Sequence, residues 1–222
     1  MSTRFEEISH NLSHVESKIV SAVKKSGRNR SEVTLIAVTK NFPISDVEIL
    51  KELGITNFGE NRDQEGASKS AAVQGKWHFQ GQIQSNKLKS ISSWAGVIHS
   101  LDDPRYVEIL DRVAINPLSA FIQVSLDDDP ERGGIAPKYI SELARAVRGS
   151  TKVELLGLMA VPPLTQELSD SYANLARIRQ EFLYEFPEAH YLSAGMSSDY
   201  EMAIEYGATH IRVGSEILGS RH

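Results

Sequence analysis

The chain has 222 residues, of which 41% are hydrophobic and 24% charged, and its formal net charge is -5. This composition is typical of a soluble globular protein with one large domain or two small ones, and the weak negative charge disfavours a dedicated nucleic-acid binder. There is no cysteine, which excludes disulfides, thiolate metal sites and thiol catalysis, and no apolar stretch approaches the roughly 18 residues of a membrane span.

The N-terminal segment predicts a one-faced helix. Thr3 and Glu6 form a capping-box pattern, and Gly27 marks the end of the helix. Apolar residues recur between them at spacings of three and four. The basic run 24–30 lies at the helix end, where cations oppose the helix dipole. Because the first residues are acidic and lack an apolar core, we expect no signal peptide and a cytoplasmic location.

After this helix, short apolar strands alternate with helices. The predicted strands are 33–39, 56–58, 77–80, 96–99, 120–125, 154–159, 190–192 and 210–213. The predicted helices are 45–54, 60–73, 84–92, 104–113, 137–147, 167–186, 198–207 and 215–218. Alternation implies parallel βαβ units, and eight of them predict an α/β protein with a closed (β/α)8 barrel of the TIM type. A doubly wound sheet is the alternative, but no Gly-x-Gly-x-x-Gly follows the first strand.

We find no linker, so residues 1–222 are predicted to form one domain, with an extra helix at 1–27 and the barrel at 33–222. In such barrels the active site lies at the carboxyl ends of the strands. Lys40 stands at the end of the first strand, where loss of hydration would lower the pKa of its ammonium. A neutral amine is what a Schiff base with an aldehyde requires. The alternative is a lysine whose amine extends into water.

The last two predicted strands run into loops that are typical of a phosphate site. Gly195 and Gly214 permit close backbone approach, and Ser197, Ser198 and Ser215 stand at helix starts, where free N–H groups attract an anion. Barrels often bind phosphate with these two loops. The alternative is that these residues only form turns and caps.

A lysine beside a phosphate site suggests an aldehyde-bearing phosphate cofactor, pyridoxal 5′-phosphate (PLP), or else a sugar-phosphate aldolase. Arg212 favours the cofactor. It precedes Gly214 by two residues and therefore shares the inward face of the last strand. Its guanidinium stays charged, so it could only donate to a pyridine nitrogen. The alternative for Arg212 is an ion pair inside the barrel.

Seven short motifs, in order along nearly the whole chain, resemble those of the pyridoxal phosphate homeostasis protein family, which in turn resembles the N-terminal barrel of alanine racemase. They are 37–40 (AVTK), 58–61 (FGEN), 77–81 (WHFQG), 84–87 (QSNK), 157–159 (GLM), 192–197 (LSAGMS) and 212–219 (RVGSEILG). The chain departs from the family pattern at Arg62 and Gln80, which would alter the rim of the pocket.

The resemblance implies a fold-type III PLP-binding protein. Lys40 matches the Schiff-base lysine, and Arg212 matches the partner of the pyridine nitrogen. The phosphate positions match Ser197, Gly214 and Ser215, and pocket-lining positions match Asn61 and Met159. The implied function is to hold PLP and take part in its intracellular homeostasis, with PLP-dependent apoenzymes as recipients and a monomer as the expected state.

The alternative function is a PLP-dependent amino-acid racemase. Alanine racemase has a second domain that donates a catalytic tyrosine across a dimer, whereas this chain ends at His222 without such a domain, and no tyrosine stands at a predicted strand end. We therefore expect weak racemase activity at most. A third hypothesis is a protein-interaction module in which the cofactor is vestigial.

Other residues are weaker candidates for a functional site. His10 and His14 share a helix face but lack a third ligand, so no metal site is predicted. His78 and His99 stand at strand ends and could act in acid–base chemistry or form hydrogen bonds in the core. The charged run 127–134 predicts a solvated loop.

Overall fold

A computed structural model describes residues 3–127, 129 and 132–219. The strands within these residues are β1 Thr34–Val38, β2 Asn57–Glu60, β3 Lys76–Phe79, β4 Val97–Leu101, β5 Leu118–Gln123, β6 Val153–Met159, β7 Tyr191–Ser193 and β8 His210–Val213. They form a closed barrel in sequence order, in which β8 pairs in parallel with β1. The (β/α)8 barrel predicted from the alternating pattern is thereby confirmed, and the doubly wound sheet is excluded.

The helices of the described residues surround the barrel. They are α1 Arg4–Lys25, α2 Ile44–Glu52, α3 Asp63–Ala72, α4 Leu88–Trp94, α5 Pro104–Val113, α6 Ile140–Arg148, α7 Leu168–Glu185, α8 Tyr200–Glu205 and α9 Ser215–Leu218. Two helices begin at other residues than the predicted ranges 45–54 and 198–207, because Pro43 is the N-cap of α2 and Asp199 is the N-cap of α8. None of the helices described here is long and apolar enough to cross a membrane.

Helix α1 has the predicted capping box. The Glu6 amide donates to Thr3 Oγ1 at 3.2 Å, and the Thr3 amide donates to a Glu6 carboxylate oxygen at 2.8 Å. The chain leaves the helix through Gly27 at φ 68°, a conformation that glycine adopts without steric cost. The apolar stripe of α1 is buried, and Lys18 of the same helix pairs with Glu216 of α9 at 2.6 Å. The extra helix therefore packs on the side of the barrel.

The basic run after α1 has structural partners. Lys24 and Lys25 lie in the last turn of α1, as the dipole argument predicts. Arg28 donates to the backbone carbonyls of Ile204 and Ala208, at 3.1 and 2.8 Å. Arg28 thus connects the end of α1 to the end of α8.

The apolar core has two parts. The larger part fills the space between the strands and the surrounding helices. The smaller part lies inside the barrel and consists of Val97, Phe121 and Met159. The Phe121 ring stands between two histidine rings, with centroids 4.7 Å from His99 and 5.1 Å from His210. The barrel interior therefore combines apolar and titratable side chains beneath its carboxyl end.

Candidate functional site

A cavity of about 340 Å³ lies at the carboxyl end of the barrel. Its walls include Lys40, Gln80, Ser197, Arg212, Gly214 and Ser215. The structure thus brings together five of the seven predicted site residues. They lie in or directly after β8, in the loop after β7 and just beyond β1, strands that are neighbours in the closed barrel although far apart in sequence.

Lys40 stands two residues beyond the end of β1 and is half-buried in the cavity wall. The next residue, Asn41, has φ 63°, an uncommon conformation for a residue with a side chain. The Asn41 amide donates to a Glu65 carboxylate oxygen at 2.9 Å, and Arg62 donates to the Asn41 side-chain oxygen at 3.3 Å. Helix α3 and the residue before it therefore hold the turn that follows Lys40.

A buried ion network holds the other side of the same turn. Glu60, at the end of β2, is fully buried and accepts hydrogen bonds from Thr39 Oγ1 and Lys69 Nζ, each at 2.6 Å. Lys69 also donates to the Thr39 carbonyl at 2.8 Å and to Glu65 at 3.2 Å. Burial raises the pKa of the Glu60 carboxyl, whereas the bonds from Lys69 and Thr39 oppose that rise. The network fixes the backbone directly before Lys40.

Arg212 lies inside the barrel with only 5% of its surface exposed. Its Nη1 donates to Ser193 Oγ at 2.6 Å, and its Nη2 donates to the Ala160 carbonyl at 3.3 Å. Both of these partners are uncharged oxygens. Burial lowers the pKa of Arg212 to about 10, so the guanidinium remains a cation at neutral pH. Arg212 is therefore a fixed donor beneath the cavity.

A line of hydrogen bonds continues from Arg212 through the barrel. Ser193 Oγ lies 2.8 Å from His99 Nδ1, His99 Nε2 lies 2.9 Å from His78 Nδ1, and His78 Nε2 lies 3.1 Å from Asn57 Oδ1. The guanidinium at one end can only donate, and the amide oxygen of Asn57 at the other end can only accept. With both histidines neutral, each group donates to the next, and each histidine carries its hydrogen on Nε2.

The environment of the two histidines agrees with this assignment. Burial lowers the pKa of His78 and His99 well below the usual histidine value, and their mutual repulsion lowers the pKa of His99 further. For His78 and His99, the structure thus supports hydrogen bonding in the core rather than acid–base chemistry. Sequence reasoning missed Ser193 as the link, because a serine in a strand gives no local signal.

The two predicted phosphate loops meet at Ser197. Its Oγ accepts from the amides of Gly214 and Glu216, at 3.3 and 3.5 Å, and so joins the β7–α8 loop to the start of α9. A Cβ at Gly214 would lie 3.0 Å from the Val38 carbonyl oxygen, so a side chain there would crowd β1. The two loops thus meet in the cavity wall, to which Ser197, Gly214 and Ser215 all belong.

The first of these loops has a required glycine. Gly195 has φ 92°, and a Cβ there would lie 2.6 Å from the Ala203 Cβ. Asp199 fastens the loop further, since its carboxylate accepts from the Met196 amide at 2.7 Å and from the Tyr172 hydroxyl at 2.6 Å. Burial and this carboxylate together raise the pKa of Tyr172. The loop is thus held rigidly over α8.

Two of the predicted site residues are not in the cavity wall. Asn61 is exposed, although it directly follows the buried end of β2. Met159 is 3% exposed and belongs to the apolar cluster inside the barrel, beside Phe121. Gln80, identified from the sequence as a departure at the rim, does line the cavity.

The remaining candidates lie outside the cavity. His10 and His14 are exposed on α1, and the described residues contain no group of three or more potential ligands that could hold a metal ion. Within the run 127–134, Arg132 pairs with Asp127 at 2.7 Å and donates to two carbonyls that follow β6. Residues 128, 130 and 131 of that run lie outside the described residues.

Comparison with known proteins gives a consistent result. The family model of the alanine racemase N-terminal domain matches residues 7–222. A pyridoxal phosphate homeostasis protein of Mycobacterium leprae is 37% identical, over 97% of this chain and 93% of the relative. The protein of the same name from Escherichia coli K12 is 34% identical over 97% of each chain.

Solved structures show the same fold. PipY of Synechococcus elongatus PCC7942, solved with PLP bound, has a TM-score of 0.81 and 31% identity, covering 96% of this chain and 100% of that one. An alanine racemase of Clostridium difficile has a TM-score of 0.77, covering 97% of this chain and 57% of that one. At 11% identity, this second likeness shows the fold alone.

Proposed function

Because this chain belongs to the alanine racemase N-terminal domain family and, within it, to the pyridoxal phosphate homeostasis proteins, we propose that it binds PLP and takes part in keeping its free level under control. The observation that carries the proposal is the meeting of Lys40, Arg212 and the two serine loops in one cavity of about 340 Å³. The PLP bound to the related PipY supports it.

The residues present fit the chemistry of this cofactor. The Gly214 backbone, which a Cβ would force against β1, leaves room beside the amides and hydroxyls that would hold a phosphate. Arg212 remains charged and can only donate, which suits an unprotonated ring nitrogen. Lys40 would supply the amine that the aldehyde carbon of the cofactor requires. When bound, PLP would supply an electrophilic carbonyl and an electron-withdrawing ring.

Support for these roles differs among the residues. Ser197 and Ser215 lie in the cavity wall with Gly214. We assign Asn61 and Met159 weaker roles, Asn61 at the exposed rim and Met159 as the floor of the barrel interior below the cavity. The ion network behind Lys40 serves the proposed function indirectly, because it fixes the backbone from which the amine extends.

The wider proposal is that residues 1–222 act as one domain, as a monomer in the cytoplasm, and deliver PLP to apoenzymes that require it. The packing of α1 against the barrel through Lys18 and Arg28 supports a single unit. Weak amino-acid racemase activity is the second candidate function, and the match of residues 7–222 to the alanine racemase N-terminal domain model supports it.

Reductive labelling tests the central assignment. The protein is incubated with PLP, treated with borohydride, digested and examined by mass spectrometry. We expect the label on Lys40, and we expect Lys40→Ala to lose it. Lys87→Ala is the matched control, because Lys87 is an exposed lysine outside the cavity wall, and it should retain the label. Label on Lys69 or Lys87 in the wild type would contradict the proposal.

A further inference from the structure

Gln80 has a side chain whose position the barrel dictates. It directly follows β3, and its backbone amide donates to the Glu60 carbonyl at 2.8 Å. The side chain then lies over Gly59 in the neighbouring strand, where a Cβ would stand 2.6 Å from Gln80 Nε2. Glycine at position 59 therefore provides the space for the amide group of Gln80, which is itself a residue of the cavity wall.

The amide nitrogen of Gln80 lacks a partner. Nε2 is buried and makes no hydrogen bond to any described residue. A buried donor without an acceptor carries a free-energy cost, and such groups in native proteins usually have an explanation. Since Gln80 is a residue of the wall of the cavity that holds Lys40 and Arg212, the simplest acceptor for its Nε2 is an atom of the ligand.

The order of the strands around the barrel indicates which ligand atom accepts the hydrogen bond from Gln80. Around the closed barrel, the phosphate loops after β7 and β8 come first, Lys40 after β1 comes next, and Gln80 after β3 lies on the far side of Lys40. In PLP, the ring carbon that bears the aldehyde lies between the carbon with the phosphate arm and the carbon with the ring hydroxyl. The ligand thus presents phosphate, aldehyde and ring oxygen in the same order.

We infer that Gln80 Nε2 donates a hydrogen bond to the ring oxygen of PLP and is a ligand-contacting residue of this chain. The inference rests on the proposed function, since it requires PLP in the cavity. A ring oxygen that carries negative charge is a strong acceptor, and a neutral amide donor would stabilise it without changing the net charge of the site. Gln80, the residue at which this chain departs from the family motif, would therefore have a specific role in binding PLP.

The test compares three variants with the wild type and uses two ligands, PLP and its 3-deoxy analogue, which lacks the ring oxygen. Gln80→Leu removes the donor, Gln80→Glu keeps the shape but replaces the donor with an acceptor, and Gln82→Leu is the control at an exposed glutamine two residues away. Affinities are measured by quenching of intrinsic fluorescence, and the melting temperature of each ligand-free protein is recorded.

We expect Gln80→Leu to bind PLP about tenfold more weakly, which corresponds to about 1.4 kcal/mol, and to bind the 3-deoxy analogue as the wild type does. Gln80→Glu should bind PLP more weakly still. Ligand-free Gln80→Leu should melt above the wild type, because it no longer buries an unpaired donor. Gln82→Leu should change none of these values.

Two results would overturn the inference, and they can be told apart. If the wild type does not bind PLP, the proposed function fails and the inference falls with it. If the wild type binds PLP but Gln80→Leu loses affinity equally for PLP and for the 3-deoxy analogue, then Gln80 only packs in the wall. The proposed function would survive that second result.

Discussion

Arg212 donates to Ser193 Oγ at 2.6 Å between the neighbouring strands β8 and β7, so that the cation beneath the cavity is tied to the histidines inside the barrel. Burial keeps the pKa of His78 and His99 low, so both are neutral in the folded protein. With neutral histidines, the hydrogen bonds run in one direction from Arg212 down to Asn57.

This line of bonds predicts that stability depends on pH. Unfolded histidines have a pKa of about 6.5, whereas burial lowers the pKa of folded His210 to about 4 and that of His78 and His99 well below its usual value. Below pH of about 6.5, the unfolded state therefore takes up protons that the folded state does not. As the pH is lowered below this value, the free energy of unfolding should decrease by up to about 1.4 kcal/mol per pH unit for each histidine.

Urea unfolding between pH of about 7 and 5 measures this slope. In a His99→Leu variant, the free energy of unfolding should depend less steeply on pH, by the contribution of one histidine. His10→Gln, at an exposed position, should keep the pH dependence of the wild type. A profile that stays flat down to pH of about 5 would contradict the neutral assignment of the buried histidines.

The ion network behind Lys40 predicts a large stability effect. Lys69→Met leaves the fully buried Glu60 without its cation, and breaking a buried pair from one side typically costs about 3–5 kcal/mol. The double variant Glu60→Leu with Lys69→Met should recover much of that loss. Arg62→Met removes a pair whose arginine is 67% exposed and should cost less than about 1 kcal/mol. Urea unfolding at neutral pH compares the three, and equal losses for Lys69→Met and Arg62→Met would contradict the prediction.

Much of this architecture was predictable from the sequence. The long-range contacts were not, and there is a physical reason for that. Alternating strand and helix patterns predict the barrel, and the rule that barrel sites lie at the carboxyl ends of strands then selects Lys40 and the two serine loops. The link between His99 and Ser193 joins residues 94 positions apart, and such a contact leaves no local periodicity. The role of Lys69 was missed likewise, because a lysine on a helix predicts an exposed side chain.

The phosphate loops predict a selectivity for phosphorylated ligands. Replacing both Ser197 and Ser215 by alanine should weaken PLP binding, since each hydrogen bond to a charged group contributes about 1.5–3 kcal/mol. Pyridoxal without phosphate should bind poorly to the wild type and lose little affinity in the double variant. Fluorescence titration measures both ligands, and Ser150→Ala, at a serine far from the cavity wall, serves as the control. Equal affinity of the wild type for PLP and pyridoxal would show that the loops are only turns.

The last prediction is that the protein is a poor racemase. Racemisation by two bases needs a proton-transferring group on each face of the substrate. Among the described residues of the cavity wall, Lys40 is the one amine, and the wall contains no tyrosine, histidine or carboxylate. Arg212, with a pKa of about 10, stays protonated at neutral pH. In the proposed site it would deny the ring nitrogen a proton, which would weaken the ring as an electron sink.

Alanine racemisation by the PLP-loaded protein should therefore be absent or orders of magnitude below typical kcat values of about 1–10³ s⁻¹. Circular dichroism of L-alanine over time measures it, with Lys40→Ala as the background. Arg212→Lys, which can take a different protonation state, should not raise the rate into that range, because the second base would still be missing. Turnover of alanine by the wild type within that range, lost in Lys40→Ala, would restore the enzyme interpretation over the carrier one.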